Sequence, residues 1–140
     1  MKPELGDAVH EIAQDLVNAS SAGDTQAQWA AYQQLANLCE RSEHEGRNHP
    51  FQWETLGDFT PDSARAIAFY EKALGYARAL QLQDYVASVS LAMAEALLDS
   101  GSIAQARDFA VQANEAAVKS DDLELRKNIS ELLLRLSERN

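Results

Sequence analysis

The amino-acid sequence predicts an all-α fold of six or seven helices. Its apolar residues recur at intervals of three and four positions, and no segment alternates with the period of two that a half-buried strand requires. The 140 residues include 24 alanines but only six glycines and three prolines, a composition that favours long helices with short breaks. Because this length is typical of one domain, we expect residues 1–140 to form a single helical domain.

The N-terminal part of the chain is predicted to hold two long helices. The first ends near residues 20–23, and Asp24 with Thr25 can cap the second. The polar stretch Arg41–Pro50 follows and is expected to be the longest irregular region. The side chains expected to face the core are Val9, Ile12 and Leu16 in the first helix, and Trp29, Tyr32, Leu35 and Cys39 in the second.

A short helical segment around Trp53 is expected before the second half of the chain. Thr60 as N-cap and Pro61 in the first helical position predict the start of the next long helix. The helices expected from there are Asp62 to about Leu82, Asp84–Asp99, one capped by Ser102, and a last one from about Asp121. The last helix, within residues 121–140, is predicted to cap the C-terminal end.

An internal repeat connects two of these helices. The pattern Ala66-x3-Tyr70-x2-Ala73 recurs 40 residues later as Ala106-x3-Ala110-x2-Ala113. Periods of this size are typical of stacked helical hairpins. An alanine where two antiparallel helices cross lets their backbones approach closely, so we expect Ala66 and Ala106 to lie at such crossings.

The segment Val89–Val118 resembles a tetratricopeptide repeat, with Ala94, Gly101, Ala106 and Ala113 at the family's small-residue and turn positions. The resemblance implies antiparallel helical hairpins stacked as a short right-handed solenoid. Because the period of 40 exceeds the family's usual ~34 residues, the repeats look like the longer variants found in bacterial regulatory proteins.

A second match to the same family lies around Trp53. Trp53-x2-Leu56-Gly57 is similar to the opening Trp-x2-Leu-Gly of the repeat, but Trp53 precedes Ala66 by 13 residues instead of about 16. Either the first helix of this repeat is shortened or the match is accidental. The clearest repeats are then 50–82 and 84–119.

Charge and cysteine content narrow the classes of function. With 12 basic and 22 acidic side chains, the net charge of −10 repels a phosphate backbone, so nucleic acid is not an expected partner. No stretch approaches the ~18 apolar residues of a membrane span, and the first thirty residues lack the basic start of a signal peptide. A lone cysteine, Cys39, fits a reducing compartment, so we expect a cytoplasmic protein.

Candidate catalytic and metal-binding side chains are few. His44 and His49 are five positions apart instead of the four of a His-Glu-x-x-His zinc site, so we expect a solvated loop there. His10 is expected on the polar side of the first helix, and Cys39 is expected to be a buried small residue instead of a nucleophile. We therefore expect no metal, no cofactor and no enzymatic activity.

The resemblance to tetratricopeptide repeats implies a binding face on the inner helices of the stack. With Ala106 as the crossing alanine, the implied face comprises Ser88, Leu91, Glu95, Leu98 and Asp99, joined after a 40-residue shift by Asn128, Glu131 and Arg135. For Leu91 and Leu98, a place in the core is the alternative. Some family members bind a peptide carboxylate with lysines and asparagines on this face. The equivalent positions here hold Leu91 and Glu95, so we expect a basic or amphipathic partner.

These observations favour one function and leave two alternatives. The favoured function is a non-enzymatic interaction module that binds a protein or peptide through an acidic concave face. An inhibitor, such as an immunity protein that neutralises a basic toxin, would share the same small and acidic character. A self-assembling homodimer is the third, if an exposed stripe of Leu125, Leu132 and Leu136 in the last helix pairs with a second copy.

Overall fold

The computed structural model describes residues 3–138, with side chains from residue 6 onward, and within that range it contains seven helices and no strand. The helices are α1 (Pro3–Ala22), α2 (Thr25–His44), α3 (Pro50–Asp58), α4 (Ser63–Ala79), α5 (Gln83–Asp99), α6 (Ile103–Ala117) and α7 (Leu123–Ser137). The predicted all-α fold is confirmed, and so is the short helix around Trp53. No helix in the described range is long and apolar enough to cross a membrane.

Successive helices pack as hairpins. The pairs are α1 with α2, α3 with α4, and α5 with α6, and α7 packs on α6 and touches α5. Both helices of the first hairpin contact α3, while α4 contacts α5, so the hairpins stack in chain order. The core has two clusters of buried side chains, one built from α1–α5 and one from α5–α7. Helix α5 contributes to both clusters and is therefore the central element.

Small residues lie where α5 and α6 pack against each other. Ala106, Ala110 and Ala113 on α6 are fully buried, and so is Ala94 on the facing helix α5. These two helices form the most extensive pair in the fold. A side chain without atoms beyond Cβ lets two backbones approach, which is the role expected for Ala106 from the repeat pattern.

The irregular region after α2 is shorter than predicted. Helix α2 continues to His44, and α3 already begins at Pro50. His49 is buried and caps α3, because its Nδ1 accepts a hydrogen bond of 3.1 Å from the backbone N–H of Phe51. The expected solvent exposure is therefore correct for His44, although it lies on α2 and not in a loop, and it is wrong for His49.

The N-terminus of α4 also differs from the prediction. The N-cap is Asp62, whose carboxylate accepts from the backbone N–H of Ala64 at 3.2 Å. Thr60 is instead buried at the end of α3, where its hydroxyl donates to the carbonyl of Leu56 at 2.6 Å. The same hydroxyl lies 2.8 Å from that of Tyr32, so Thr60 ties the α3–α4 turn to α2.

Trp29 is not a core residue, although the sequence placed it in the apolar stripe of α2. Its side chain is 66% exposed. The buried stripe of this helix runs through Ala31, Leu35 and Cys39. Trp29 precedes Ala31 by two residues, and at 3.6 residues per turn this places the two on nearly opposite sides of the helix.

The leucine stripe of the last helix is not exposed. Leu132 and Leu136 are buried in the cluster formed with α5 and α6, and Leu125 packs against it. Helix α7 packs on α6 and covers it with its own apolar side. The predicted self-association through this stripe is therefore wrong.

A close contact fixes the hairpin of α3 and α4. The Tyr70 ring lies against Gly57, so that a Cβ added at position 57 would be only 2.6 Å from Cε1 of Tyr70. The ring cannot easily move away, because Tyr70 is buried and its hydroxyl donates to Asp58 Oδ1 at 2.7 Å. Trp53, Leu56 and Gly57 thus lie on the first helix of this hairpin, which has nine residues.

This contact leads to a stability prediction. The change Gly57→Ala should lower the free energy of unfolding by about 1–3 kcal/mol, because the added methyl group overpacks the site. Gly75→Ala is the matched control: Gly75 lies within α4, and nothing is within 4 Å of a Cβ added there. The control should gain up to about 1 kcal/mol from helix propensity. Equal shifts of both variants in urea denaturation would contradict the close packing of Tyr70.

Candidate functional site

A cleft of about 430 Å³ opens between α3 and α5, with the start of α4 along one side. Four carboxyl groups line it, and no lysine, arginine or histidine of the described residues does. We call it the acidic cleft; its lining residues are Glu54, Gly57, Asp58, Thr60, Pro61, Ser63, Ala66, Tyr70, Ser88, Leu91, Ala92, Glu95, Ala96 and Asp99. Its strong local negative charge suits a cationic ligand.

The space in the cleft comes from small side chains. Gly57 and Ala66 line it on one side, and Ala92 and Ala96 line it along α5. Ala92 and Ala96 are four residues apart and so lie on one face of that helix. Larger residues at these four positions would fill the cleft.

Glu54 is the most perturbed acid of the cleft. It is partly buried, and burial raises the pKa of its carboxyl to about 7, with a further increase from the charge of Asp58. The hydroxyl of Ser88 donates a hydrogen bond to Glu54 Oε2, which favours the ionised form and opposes that increase. Near neutral pH, Glu54 is therefore partly protonated and can gain its negative charge when a cation enters.

Asp58 lies one helical turn after Glu54 and shares its face of α3. Desolvation by the cleft walls raises the pKa of Asp58, while the hydrogen bond from Tyr70 lowers it. Burial, together with the nearby charge of Asp58, holds the pKa of Tyr70 far above its usual value. Tyr70 therefore stays a neutral donor, and its hydroxyl fixes the position of the Asp58 carboxylate.

The third and fourth acids, Glu95 and Asp99, are exposed and line the cleft from α5. Partial desolvation raises the pKa of Glu95, and the charge of Asp99 adds to the increase. The guanidinium of Arg135 on α7 acts in the opposite direction. Arg135 thus lies close enough to Glu95 for its positive charge to lower the pKa of that carboxyl.

The structure brings only part of the sequence-predicted face together. Ser88, Leu91, Glu95 and Asp99 line the acidic cleft. Leu98 is 8% exposed and belongs to the core cluster of α5–α7. It is therefore a core residue, the alternative given above, and not part of a binding face. Leu91 is also in that cluster at 7% exposure, but it contributes to the cleft wall as well. The residues on α7, which are Asn128, Glu131 and Arg135, are exposed and lie outside the cleft lining.

Sequence reasoning missed Glu54, Asp58 and Tyr70. The 40-residue shift led from α5 forward to α7, whereas the residues that face α5 across the cleft lie on α3. The hydrogen bond between Ser88 and Glu54 joins residues 34 positions apart. A search at the usual ~34-residue period of tetratricopeptide repeats would therefore have paired these two positions.

The histidines and the cysteine lie outside the cleft. The ring of His10 packs 4.7 Å from that of Phe51, centroid to centroid. Cys39 is buried, as predicted, and its thiol donates to the carbonyl of Gln52 at 3.4 Å. Burial raises the pKa of Cys39 to about 12, so it is a neutral thiol at physiological pH. Among the described residues, no three His, Cys, Asp or Glu side chains are arranged to hold a metal ion.

Comparisons with known proteins identify the fold. No protein-family model and no curated protein matches the chain. Among solved structures, it is similar to the type III secretion translocator chaperone SycD of Yersinia enterocolitica, in a structure of an alternative dimer. The TM-score is 0.71 at 18% sequence identity, over 95% of this chain and 94% of SycD.

A second SycD structure, a complex with a peptide of the translocator YopD, matches with a TM-score of 0.62 at 18% identity. That match covers 95% of each chain. At this level of identity, the likeness establishes the architecture and nothing finer. The chain has the same all-helical, tetratricopeptide-like arrangement of hairpins as SycD.

Proposed function

We propose that this chain is a non-enzymatic interaction protein that holds a basic or amphipathic segment of a partner protein in the acidic cleft. The observation that carries the proposal is the convergence of four carboxyl groups, from Glu54, Asp58, Glu95 and Asp99, on one cleft without a basic lining residue. A lysine or arginine side chain would supply the missing positive charge.

The walls of the cleft also suit the stem of such a side chain. Leu91 and the Tyr70 ring offer apolar surface beside the carboxyl groups. Lysine and arginine bury their methylene stems against apolar surface while the charged end meets polar groups. An amphipathic segment could therefore use both the charge and the apolar wall.

The fold of SycD supports the same kind of function. SycD is a type III secretion chaperone and has been crystallised with a peptide of the translocator YopD. By analogy, we propose that this chain holds a segment of its partner in the manner of a chaperone. The chemistry of the cleft, more than the analogy, specifies a basic segment.

The raised pKa of Glu54 also resembles that of catalytic acids. Here it has a simpler role, because burial and the neighbouring Asp58 account for it. A neutral Glu54 reduces the mutual repulsion of the four acids while the cleft is empty. When a cation enters, Glu54 loses its proton and contributes its full charge.

An inhibitor that neutralises a basic toxin is the second form of the same proposal. It uses the same acidic cleft, and it differs only in blocking the activity of the bound partner. The homodimer through the leucine stripe of α7 is excluded from the proposal, because Leu132 and Leu136 are buried.

The first prediction tests the location of binding. The probe is a synthetic amphipathic peptide of lysine and leucine, titrated calorimetrically. Replacing both Glu95 and Asp99 by lysine should weaken binding about tenfold or more at ~0.1 M salt, because close charge pairs are lost. The matched control replaces Asp108 and Glu115, exposed acids on α6 outside the cleft, by lysine.

The control changes the net charge by the same amount, so its affinity should stay within about threefold of the wild type once salt screens distant charges beyond ~10 Å. If both double variants lose affinity equally, the peptide responds to net charge alone. That result would contradict binding in the acidic cleft.

The second prediction concerns pH. A bound cation favours ionised Glu54, so binding should release protons and tighten as pH rises through about 7, the pKa of this carboxyl in the free protein. Between pH 6 and pH 8, we expect the affinity for the lysine–leucine peptide to rise up to about tenfold. This is the limit when binding releases one proton, because the affinity rises at most tenfold per pH unit below the pKa and levels off above it. The Glu54→Gln variant should lack most of this dependence. Parallel pH profiles for the two proteins would exclude the role given to Glu54.

A further inference from the structure

We infer that the acidic cleft is one half of a longer groove, and that the partner segment bound there places a large apolar side chain against Trp29. This inference rests on the proposed function and adds to it the second element that a partner sequence must carry. The evidence is a second pocket next to the cleft, which we call the Trp29 pocket.

The Trp29 pocket has a volume of about 340 Å³ and lies between α1, α2, the α3–α4 turn and the start of α4. Its apolar walls include Leu16, Trp29, Tyr32, Phe59 and Pro61. Volumes of this size accommodate a large side chain with room to spare. The pocket is therefore open to an apolar group from outside.

Trp29 is the unusual member of this wall. At 66% exposure it leaves a large aromatic surface in contact with water, whereas the chain's other tryptophan, Trp53, is 4% exposed. Tryptophan is enriched among the residues that dominate binding energy at protein interfaces. Nothing in the described part of the chain covers this ring, and a bound apolar side chain would remove both surfaces from water.

The two pockets share a wall. Pro61 is exposed and lines both of them. On either side of it, Thr60 lines the acidic cleft and Tyr32 lines the Trp29 pocket, and their hydroxyl groups are hydrogen-bonded at 2.8 Å. Because Thr60 also donates to the carbonyl of Leu56, this wall is fixed before any ligand arrives. A segment that crosses Pro61 reaches both pockets.

The two pockets differ in charge. The acidic cleft has four carboxyl groups, while the charged residue that lines the Trp29 pocket is Arg65. A lysine would be repelled from Arg65 and drawn to the cleft. The groove thus favours a segment in which a basic residue and a large apolar residue, either aromatic or leucine, lie a few positions apart in either order.

The test uses defined peptides of about twelve residues in a glycine–serine background. Each carries two lysines at one end and one phenylalanine at a varied distance, and its partner peptide has serine in place of phenylalanine. For at least one spacing, we expect the phenylalanine peptide to bind the wild type about tenfold more tightly than its serine partner. The emission of the exposed Trp29 should shift to shorter wavelength at the same time.

Two variants test whether the advantage of phenylalanine over serine depends on Trp29. Trp29→Ala removes an exposed side chain, so the fold is expected to persist, and the advantage of phenylalanine should disappear. Leu134→Ala is the control, because Leu134 is 63% exposed on α7, away from both pockets, and here the advantage should remain.

The outcomes separate this inference from the proposed function. The inference is overturned if phenylalanine gives no advantage at any spacing, or if its advantage survives Trp29→Ala. The proposed binding in the acidic cleft still holds in that case if the affinity depends on lysine and is lost in the Glu95 and Asp99 double variant. If no peptide binds, or binding ignores the double variant, both are overturned. If the free protein self-associates in sedimentation and Trp29→Ala abolishes this, a second copy fills the pocket and the inference fails.

Discussion

The contact between Gly57 and the Tyr70 ring determines the geometry of the acidic cleft. It lets α3 lie close against α4, and the hydroxyl of Tyr70 then reaches Asp58 at 2.7 Å. Glu54 is one turn earlier on the same helical face and receives the hydrogen bond of Ser88 from α5. A Cβ at position 57 would clash with the Tyr70 ring, so either α3 or the ring would have to shift.

The two pockets illustrate how one short turn can serve two surfaces. Thr60 and Pro61 lie in the turn after α3 and close one side of the acidic cleft, and the Thr60 hydroxyl also holds Tyr32 in the wall of the neighbouring pocket. Neither residue begins α4, because Asp62 caps that helix. This arrangement leaves Pro61 exposed between a negatively charged pocket and an apolar one. A ligand that fits both pockets must therefore carry both a positive charge and an apolar side chain.

Most of the fold could be predicted from the sequence, because the apolar periods of three and four and the alanine-rich pattern of α4 and α6 are local signals. The site could be predicted only in part: Ser88, Glu95 and Asp99 followed from the repeat register, but Glu54 and Asp58 depend on how the short α3 packs against α5. The exposure of Trp29 does not follow from the spacing, because each three-residue step from Trp29 to Tyr32 and Leu35 falls short of a full turn and so drifts around α2. The burial of the α7 leucines cannot be predicted from their own segment, because it depends on contact with α6.

The central claim is that packing of α3 holds Glu54 in a partly buried site where its carboxyl stays largely protonated below neutral pH. Carbon-13 NMR of the side-chain carboxyl groups, assigned with the Glu54→Gln variant, measures this directly as a function of pH. The structure predicts a midpoint of about 7 for Glu54, well above the value of 4.5 for a solvated glutamate. A midpoint near 4.5 would contradict the account, because Glu54 would then be an ordinary surface acid.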